Sequence, residues 1–421
     1  MFKTLKMTSN SNAIDYILIY LLLAISGNHA FDENNVIIFG TFIFSSIVFF
    51  FRKKTIDIFF LALVFIVTFI LFAQTLIFDF FPVVTFLGFY VRLFAAYFIL
   101  KSIGVTFIEK FVKVMLFLVV VSLIFFVLLN IIPSFPSYMK PFALKSMEYV
   151  EPSTNYFVAS YYTPLFTFRY MPYNPIDFVR NPGMFWEAGA FGGYLSVALI
   201  LNIMRTGVFL QKQNILLIVG ILSTASTTSF VVLMAISFFY LLASSKYKLL
   251  KTVLLPIVSI LGFFMFTYLD FLGAKIEDKL RLAEDPSVVY TTTSSRFVDA
   301  LRDMEALKDH ELLGRGINKE TRFTKTDKQS GYNIRTNGFT DHLVRFGIIF
   351  FIITFILMYY SFDSIIRYYS NMSRLFSVYV ILLLGLILQS ETYFIYPFFW
   401  ILLMFPSVYK VDLNNKIRKY L

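Results

Sequence analysis

The chain has no cysteine and only three histidines, His29, His310 and His342, in 421 residues. Without cysteine it forms no disulfide and holds no thiolate-bound zinc or iron–sulfur cluster. Three histidines so widely spaced argue against a histidine-built metal centre as well. Charge is also scarce, with Asp, Glu, Lys and Arg at 15% of residues, where soluble domains carry about a quarter. There is no Walker-type phosphate loop, which excludes direct use of ATP. No aspartate-rich motif accompanies the arginines singled out below, so neither a metal nor another cofactor is expected. No internal repeat or inverted half-symmetry is visible, unlike many secondary transporters.

What fills the sequence instead is apolar. Hydrophobic residues make up 58% of it, and the mean hydropathy is +0.73. Runs such as "VKVMLFLVVVSLIFFVLLNII" (112–132) and "LLKTVLLPIVSILGFFMFTYL" (249–269) are long enough to cross a bilayer. Near the start, Lys3 and Lys6 precede "YILIYLLLAIS" in the manner of a signal peptide. Asn28 stands where cleavage needs a small residue, so a retained first helix is expected. The net charge of +11 fits lysine and arginine gathered in cytoplasmic loops better than a nucleic-acid surface.

Apolar runs fall at 14–27, 35–51, 56–76, 83–100, 112–132, 184–204, 213–225, 228–244, 250–269, 342–361, 375–389 and 392–409. They predict an all-α polytopic membrane protein of about twelve helices. Two long polar segments divide it: helices over 1–132, a first external segment 133–183, helices over 184–269, a larger external segment 270–341, and helices with a tail over 342–421. The basic stretches 51–54, 109–113, 205–213, 244–251, 367–374 and 410–420 alternate with weakly charged connections. Placing them all in the cytoplasm sets both termini inside and both long segments outside. This orientation requires two short helices, turning at "STASTTS" (223–229), rather than one long crossing over 213–244.

The stretch "RNPGMFWEAGAFGGYL" (180–195) puts a carboxylate and four glycines at the mouth of an apolar segment. Pro182 suits a first helical turn, which would set Glu187 within the outer part of a span, where ionisable groups are functional candidates. Gly189 and Gly193, four apart, let a neighbour approach closely. Two readings follow for Arg180 and Glu187: a working carboxylate with an arginine above it, or an ion pair that pins a helix. Of the other polar residues, Arg92 inside "GFYVRLFAAYF" either contacts lipid phosphate or pairs with a carboxylate of another helix. Glu391, in "QSETY", is either structural or sugar-contacting. The aromatic cluster "SYYTPLFTFRYMPYNP" (160–175) could flank a glycan.

The pattern R-x-x-G-x-F-W-E-x-G-x-F over 180–191 resembles the signature of bacterial O-antigen polymerases (Wzy type), within the superfamily that includes the O-antigen ligases. In "SSRFVDALRDMEALKDHELLGRGINKE" (294–320), Arg296, Gly314 and Gly316 match that family's arginine, amphipathic stretch and G-x-G. Val298, Leu301, Met304 and Leu312 have partial helical spacing, as for a helix lying at the outer surface. "TNGFTDHLVRFGIIFF" (336–351) enters the next helix in the family's manner. Two positions depart: Ala188 replaces a frequent proline, and Thr336 stands where the ligases carry a histidine before Asn337.

The resemblance implies a GT-C-like fold in the bacterial inner membrane, working at the periplasmic face. The implied reaction joins undecaprenyl-pyrophosphate-linked glycan units into O-antigen or a related polymer. It needs no cofactor; the partners are membrane lipid and a chain-length regulator, not nucleic acid. Arg180 and Arg296 would bind pyrophosphate, with Arg315 a third candidate, and Glu187 would orient an arginine or the acceptor hydroxyl, or act as the base. His342 is an alternative base at the membrane edge, or else an interfacial surface residue. Arg92, Arg315 and Asn337 complete the substrate-binding set. Ligation of O-antigen to a lipid core and lipid-glycan flipping or transport are the competing activities.

Overall fold

A computed structural model of the chain describes residues 2–150, 157–170, 179–243, 296–329, 335–369 and 372–409. It is mostly helical. In chain order the helices are α1 (Phe2–Ala24), α2 (Asn35–Phe51), α3 (Ile58–Phe78), α4 (Val83–Ile103), α5 (Phe107–Ile131) and the short α6 (Phe135–Met139). After a small sheet come α7 (Ala188–Thr206), α8 (Lys212–Ser223) and α9 (Thr227–Ala243). The second polar segment carries α10 (Arg296–Leu307), α11 (Lys319–Arg322) and α12 (Lys325–Gln329), followed by α13 (Gly338–Tyr369), α14 (Leu375–Leu388) and α15 (Pro397–Met404).

Among the described residues, four helical stretches are long and apolar enough to cross a membrane: 58–78, 83–131, 188–206 and 338–369. Others, including α2, α8, α9 and α14, are apolar but shorter. The outer faces tell the same story. On α2, Phe39, Ile43, Ile47 and Phe50 point outward, and on α3, Phe65, Phe69, Phe72 and Leu76 do. Each set recurs at helical spacing as an uncovered apolar stripe too large for a water-facing surface. The chain is therefore a mostly helical, membrane-associated protein.

Several expectations need correction. The all-α expectation is amended in the first polar segment, where Lys145–Val150, Phe157–Tyr162 and Thr167–Tyr170 form an antiparallel sheet in the order β1-β2-β3. The strands are rich in Val, Phe and Tyr, residues that favour strands, a signal that the all-α expectation passed over. Phe166 and Phe168 of this aromatic cluster pack with Leu129 of α5, so these rings are core. Residues 171–175 of the cluster lie outside the described residues, as does the expected helix 250–269. The last apolar run, 392–409, is not one helix but a 3-10 turn at Tyr393–Ile395 followed by α15. Pro397 lacks the N–H a continuing helix would need and sits at the first turn of α15 instead.

Two ends of the bundle can be told apart by their contacts. At one, Asp15 takes both Arg52 (2.5 Å) and Lys110, and Lys101 pairs with Asp57 at 2.7 Å. At the other, Asn28 Nδ2 donates to the Thr163 carbonyl (2.8 Å) and Tyr20 Oη to that of Pro164 (2.9 Å), pinning the sheet to the helices. The 223–229 turn and the second polar segment share this second end. The expected split of 213–244 is seen, with α8 and α9 separated by Thr224–Ser226 and Ala225 in the left-handed region at φ 43°.

Helix α13 is interrupted at Gly347 (φ 75°, ψ 172°). The chain over 311–316 lies against this break: Arg315 N donates to the Val344 carbonyl (2.7 Å), Gly316 N to that of Arg345 (3.0 Å), and Ile348 N to that of Glu311 (2.9 Å). Gln74 Nε2 of α3 adds bonds to the Leu313 (2.5 Å) and Arg345 (2.8 Å) carbonyls. Backbone groups freed inside a membrane-grade helix are thereby satisfied. Gly314, at φ +71°, could not carry a side chain, since a Cβ would come 2.5 Å from Gly347 N. The G-x-G is a backbone clasp.

Helix α10 does not lie at a surface on its apolar stripe. Met304 and Leu312 are exposed, and the face turned inward is Val298, Asp299, Arg302, Asp303, Ala306 and Leu307. Its charges are paired in the interior. Arg322 is wholly buried between Asp303 (2.6 Å) and Asp341 (2.9 Å), and Arg335 reaches Asp303 (3.0 Å) and Asp327 (2.5 Å).

Candidate functional site

The 180–187 stretch is a turn rather than the first turns of a helix. Asn181, fully buried, holds it: its Nδ2 donates to Ser223 Oγ (2.8 Å) and Ser122 Oγ (3.0 Å), while its Oδ1 accepts from Gly183 N (3.0 Å). Gly183 then takes φ +55°, and a Cβ there would meet the Phe191 ring at 2.9 Å. Helix α7 starts only at Ala188, with Glu187 as its N-cap residue. The expectation of a carboxylate inside the span is corrected by one turn and a half: Glu187 stands at the helix mouth. Its side chain makes no capping bond and turns toward Arg296.

Arg296, the first residue of α10, lies between two carboxyl groups. Its Nη2 is 2.7 Å from Glu391 Oε1 and 3.2 Å from Glu187 Oε1. Trp186 Nε1 donates to the other Glu391 oxygen at 3.3 Å, and the Trp186 ring rests on Tyr396 with centroids 4.9 Å apart. Asn337 Oδ1 caps α13 through Phe339 N (3.1 Å) and Thr340 N (3.2 Å), and its Nδ2 donates to the Arg296 carbonyl at 3.4 Å. Asn337 thus positions the arginine through the backbone.

The glycines make room for this arrangement. A Cβ on Gly189 would lie 2.8 Å from Glu187 Oε1 and 3.5 Å from Arg296 Nη2. Gly193 faces Tyr393, whose Oη donates to the Gly189 carbonyl at 3.3 Å. A methyl at 193 would overlap that ring, two residues from Glu391. Gly193→Ala is therefore expected to lower stability by about 1–3 kcal/mol through overpacking and to depress activity. Gly40→Ala, which meets nothing within 4 Å, is the matched control; thermal unfolding of the two purified variants checks the difference.

The two carboxyl groups are driven in opposite directions. Burial pushes the Glu391 carboxyl well above the ordinary range, and the adjacent Glu187 carboxylate pushes it further. Burial acts on Glu187 in the same direction. There the hydrogen bond from Glu391 and the charges of Arg296, Arg169 and Arg180 prevail and hold it low. These directions favour a neutral Glu391 beside an ionised Glu187 and a cationic Arg296. Environments that drive two neighbouring acids apart are the usual mark of an acid–base pair.

Of the residues expected to act together, Arg180, Glu187 and Arg296 are brought to one place, with Asn337 behind them; Arg180 is exposed at the rim. His342 is not at a membrane edge. It is 2% exposed, stacked on Phe394 (4.4 Å), and its Nε2 meets Thr354 Oγ1 at 3.0 Å. A polar ring one residue after Asp341 turns inward because α13 presents that face to the bundle. Arg315 is likewise diverted: its guanidinium lies over the Phe78 ring and donates to the Thr321 carbonyl at 3.0 Å. Arg92 donates to the carbonyl of Asp32 (3.0 Å), beside a separate cavity.

Sequence reasoning missed Arg169, whose charge reaches Glu187, and left Glu391 undecided. Arg169 is the sole cation inside the 160–175 aromatic cluster, which was the available signal. Among the described residues, one trio has atoms close enough to share a cation: His29, Asp32 and Glu33, within 4.8 Å of one another. Its groups already have partners, as His29 Nδ1 meets Asp32 at 3.0 Å and Lys145 pairs with Glu33. No family model, curated protein or solved structure matches the chain.

Proposed function

We propose that the protein is a glycosyltransferase that polymerises polyprenyl-pyrophosphate-linked oligosaccharide units at the periplasmic face of a bacterial inner membrane. The observation that carries this reading is Arg296 held between Glu187 and Glu391, with Arg169 and Arg180 beside them. The basic loops at the opposite end of the bundle support the orientation, since lysine and arginine favour the cytoplasmic side.

The chemistry follows from the charges. The bond between the donor sugar's anomeric carbon and its pyrophosphate breaks, and the electron pair leaves with the phosphoryl oxygen. A new bond forms from that carbon to an acceptor hydroxyl oxygen. As it forms, the hydroxyl becomes strongly acidic, so even a weakly basic carboxylate can take its proton. Glu187 accepts it. Negative charge growing on the pyrophosphate is met by Arg180 and Arg169 at the rim, where guanidinium forks suit phosphoryl oxygens. Glu391 stays neutral and fixes both Arg296 and Glu187. No residue here is asked to form a covalent intermediate.

The pH profile should reflect the split pair. Glu187 is held low, so activity rises at acidic pH, below the usual glutamate range. Glu391 is held well above the usual glutamate range, so activity falls again at higher pH, when a second negative charge enters the site. Glu391→Gln, neutral at every pH, is expected to abolish this falling limb while leaving in place the rise that Glu187 governs. Initial rates against pH for both proteins check this.

The cellular test is deletion of the gene followed by electrophoresis of surface polysaccharide. Loss of long ladders with one repeat unit retained supports polymerisation. Loss of all glycan from the lipid core would instead indicate ligation, and cytoplasmic build-up of the lipid-linked unit would indicate flipping.

A further inference from the structure

A second cationic site lies across the 391–397 segment from the carboxyl pair. It is a cavity of about 160 Å³ whose lining includes Arg92, Arg345, Phe89, Phe346, Phe394 and Trp400. Arg92 comes from the middle of α4, where a charge is expensive and is kept for a purpose. Among the described residues it has no carboxylate within ion-pair distance. Its guanidinium is held only by two main-chain carbonyls, those of Asp32 (3.0 Å) and Gly88 (3.4 Å). The closest acid, Asp32, spends its carboxylate on His29.

Arg345 stands at the break in α13. Its Nε is taken by Asp341 (2.6 Å) and its Nη1 by the Ile317 carbonyl (3.2 Å), which leaves Nη2 for a ligand. The two arginines therefore enter one small cavity, otherwise lined almost wholly by apolar side chains, with more N–H donors than protein acceptors. Arg296, by contrast, already has both of its carboxyl partners. The cavity is smaller than the 300 Å³ or so at which pockets begin to enclose whole organic ligands. It suits a phosphoryl head whose remainder stays outside. The rim is open, since Ile395 on the segment between the two sites is exposed.

We propose that Arg92 and Arg345 form an anion site for the phosphoryl head of a polyprenyl carrier. This deepens the polymerase reading and rests on it: a reaction between two lipid-linked pyrophosphates needs a second anionic seat. Residues 391–397 form the wall the two seats share. Glu391 faces one of them, and Phe394 and Pro397 line the other. Tyr396 is stacked on Trp186 on the first side, and the next residue, Pro397, lines the second. Two carriers seated so close would bring their sugars to one acid–base pair.

Binding to the purified full chain in nanodiscs tests this, with labelled polyprenyl pyrophosphate as probe and inorganic pyrophosphate as competitor. The wild type is expected to bind two equivalents of the lipid, and Arg92→Ala and Arg345→Ala are each expected to weaken one of these two binding events at least tenfold. Arg92→Lys, which keeps the charge but not the fork, should fall between wild type and Arg92→Ala. Gly40→Ala, where a methyl meets nothing within 4 Å, should bind as wild type does. Competition by inorganic pyrophosphate that depends on Arg92 would also uphold the site, and would assign it to the free anion as well as to the lipid. Wild-type binding by Arg92→Ala and Arg345→Ala alike, with unfolding temperatures unchanged, would overturn it. If those variants also polymerise normally while Glu187→Gln does not, only the second seat falls. If binding depends on Arg92 but the wild type makes no polymer, the seat stands and the polymerase reading falls.

Discussion

Glu187→Gln is expected to lower the rate of glycan polymerisation by about 10²–10⁴-fold, the usual contribution of a general base, while the protein folds and reaches the membrane normally. The amide occupies the same volume and still accepts a hydrogen bond from Arg296, so packing at the α7 mouth is kept. What disappears is the only carboxylate that is ionised within the pair. Glu391 cannot replace it, because burial favours its neutral form. The loss should appear in kcat rather than in KM, since Glu187 acts on a proton that moves only during reaction. A ladder of wild-type length from cells carrying Glu187→Gln would remove the acid–base assignment.

Arg322→Met is expected to cost about 3–5 kcal/mol, as breaking a buried ion pair leaves its partner charges unmet. Arg322 has no exposure and serves two aspartates, Asp303 of α10 and Asp341 of α13. Without it, Asp303 keeps Arg335 and Asp341 keeps Arg345. Two carboxylates still face each other across the missing guanidinium. Since Arg296 is the first residue of α10, loosening this helix also moves the site. The variant should accumulate poorly and unfold at a lower temperature, and protease should cut within 296–329 sooner than in the wild type. Arg322→Lys should be milder but still impaired, because one ammonium cannot serve both aspartates with a planar fork. Unchanged melting and proteolysis in Arg322→Met would show that the network contributes little.

The apolar helices were legible because a bilayer asks only for length and hydrophobicity, and both are properties of a local run. The division of 213–244 was legible for a different reason: the charge of "SSKYKLLK" had to return to the same side, and the "STASTTS" stretch could supply a turn. Glu187 was marked as a carboxylate in a glycine-bearing apolar stretch, and Arg296 only by the resemblance to the polymerase pattern. Their separation, 109 positions, gave no sign that they meet. Glu391 was harder still. Nothing in "QSETY" separates a surface turn from a buried acid, and the difference is made by Trp186 and Arg296 arriving from elsewhere. The inward face of α10 misled for a physical reason. Hydrophobic spacing assumes that charges face water, yet Asp299, Arg302 and Asp303 are buried because Arg322, Arg335 and Thr336 come to meet them. Such long-range pairing has no local signature. His342 failed on the same ground, since only the neighbouring helices decide which face of α13 is covered.

The central claim is that the carboxyl pair of Glu187 and Glu391, beside Arg296, serves the joining of two lipid-linked glycans. Its most direct measurement uses the purified chain in nanodiscs with a synthetic polyprenyl-pyrophosphate-linked repeat unit, following product length and released polyprenyl pyrophosphate together. The wild type should lengthen the glycan and release one polyprenyl pyrophosphate for each linkage formed, and Glu187→Gln should do neither at a comparable rate. Folded wild-type protein that leaves the unit unjoined, or a Glu187→Gln protein that joins it equally fast, would contradict the account.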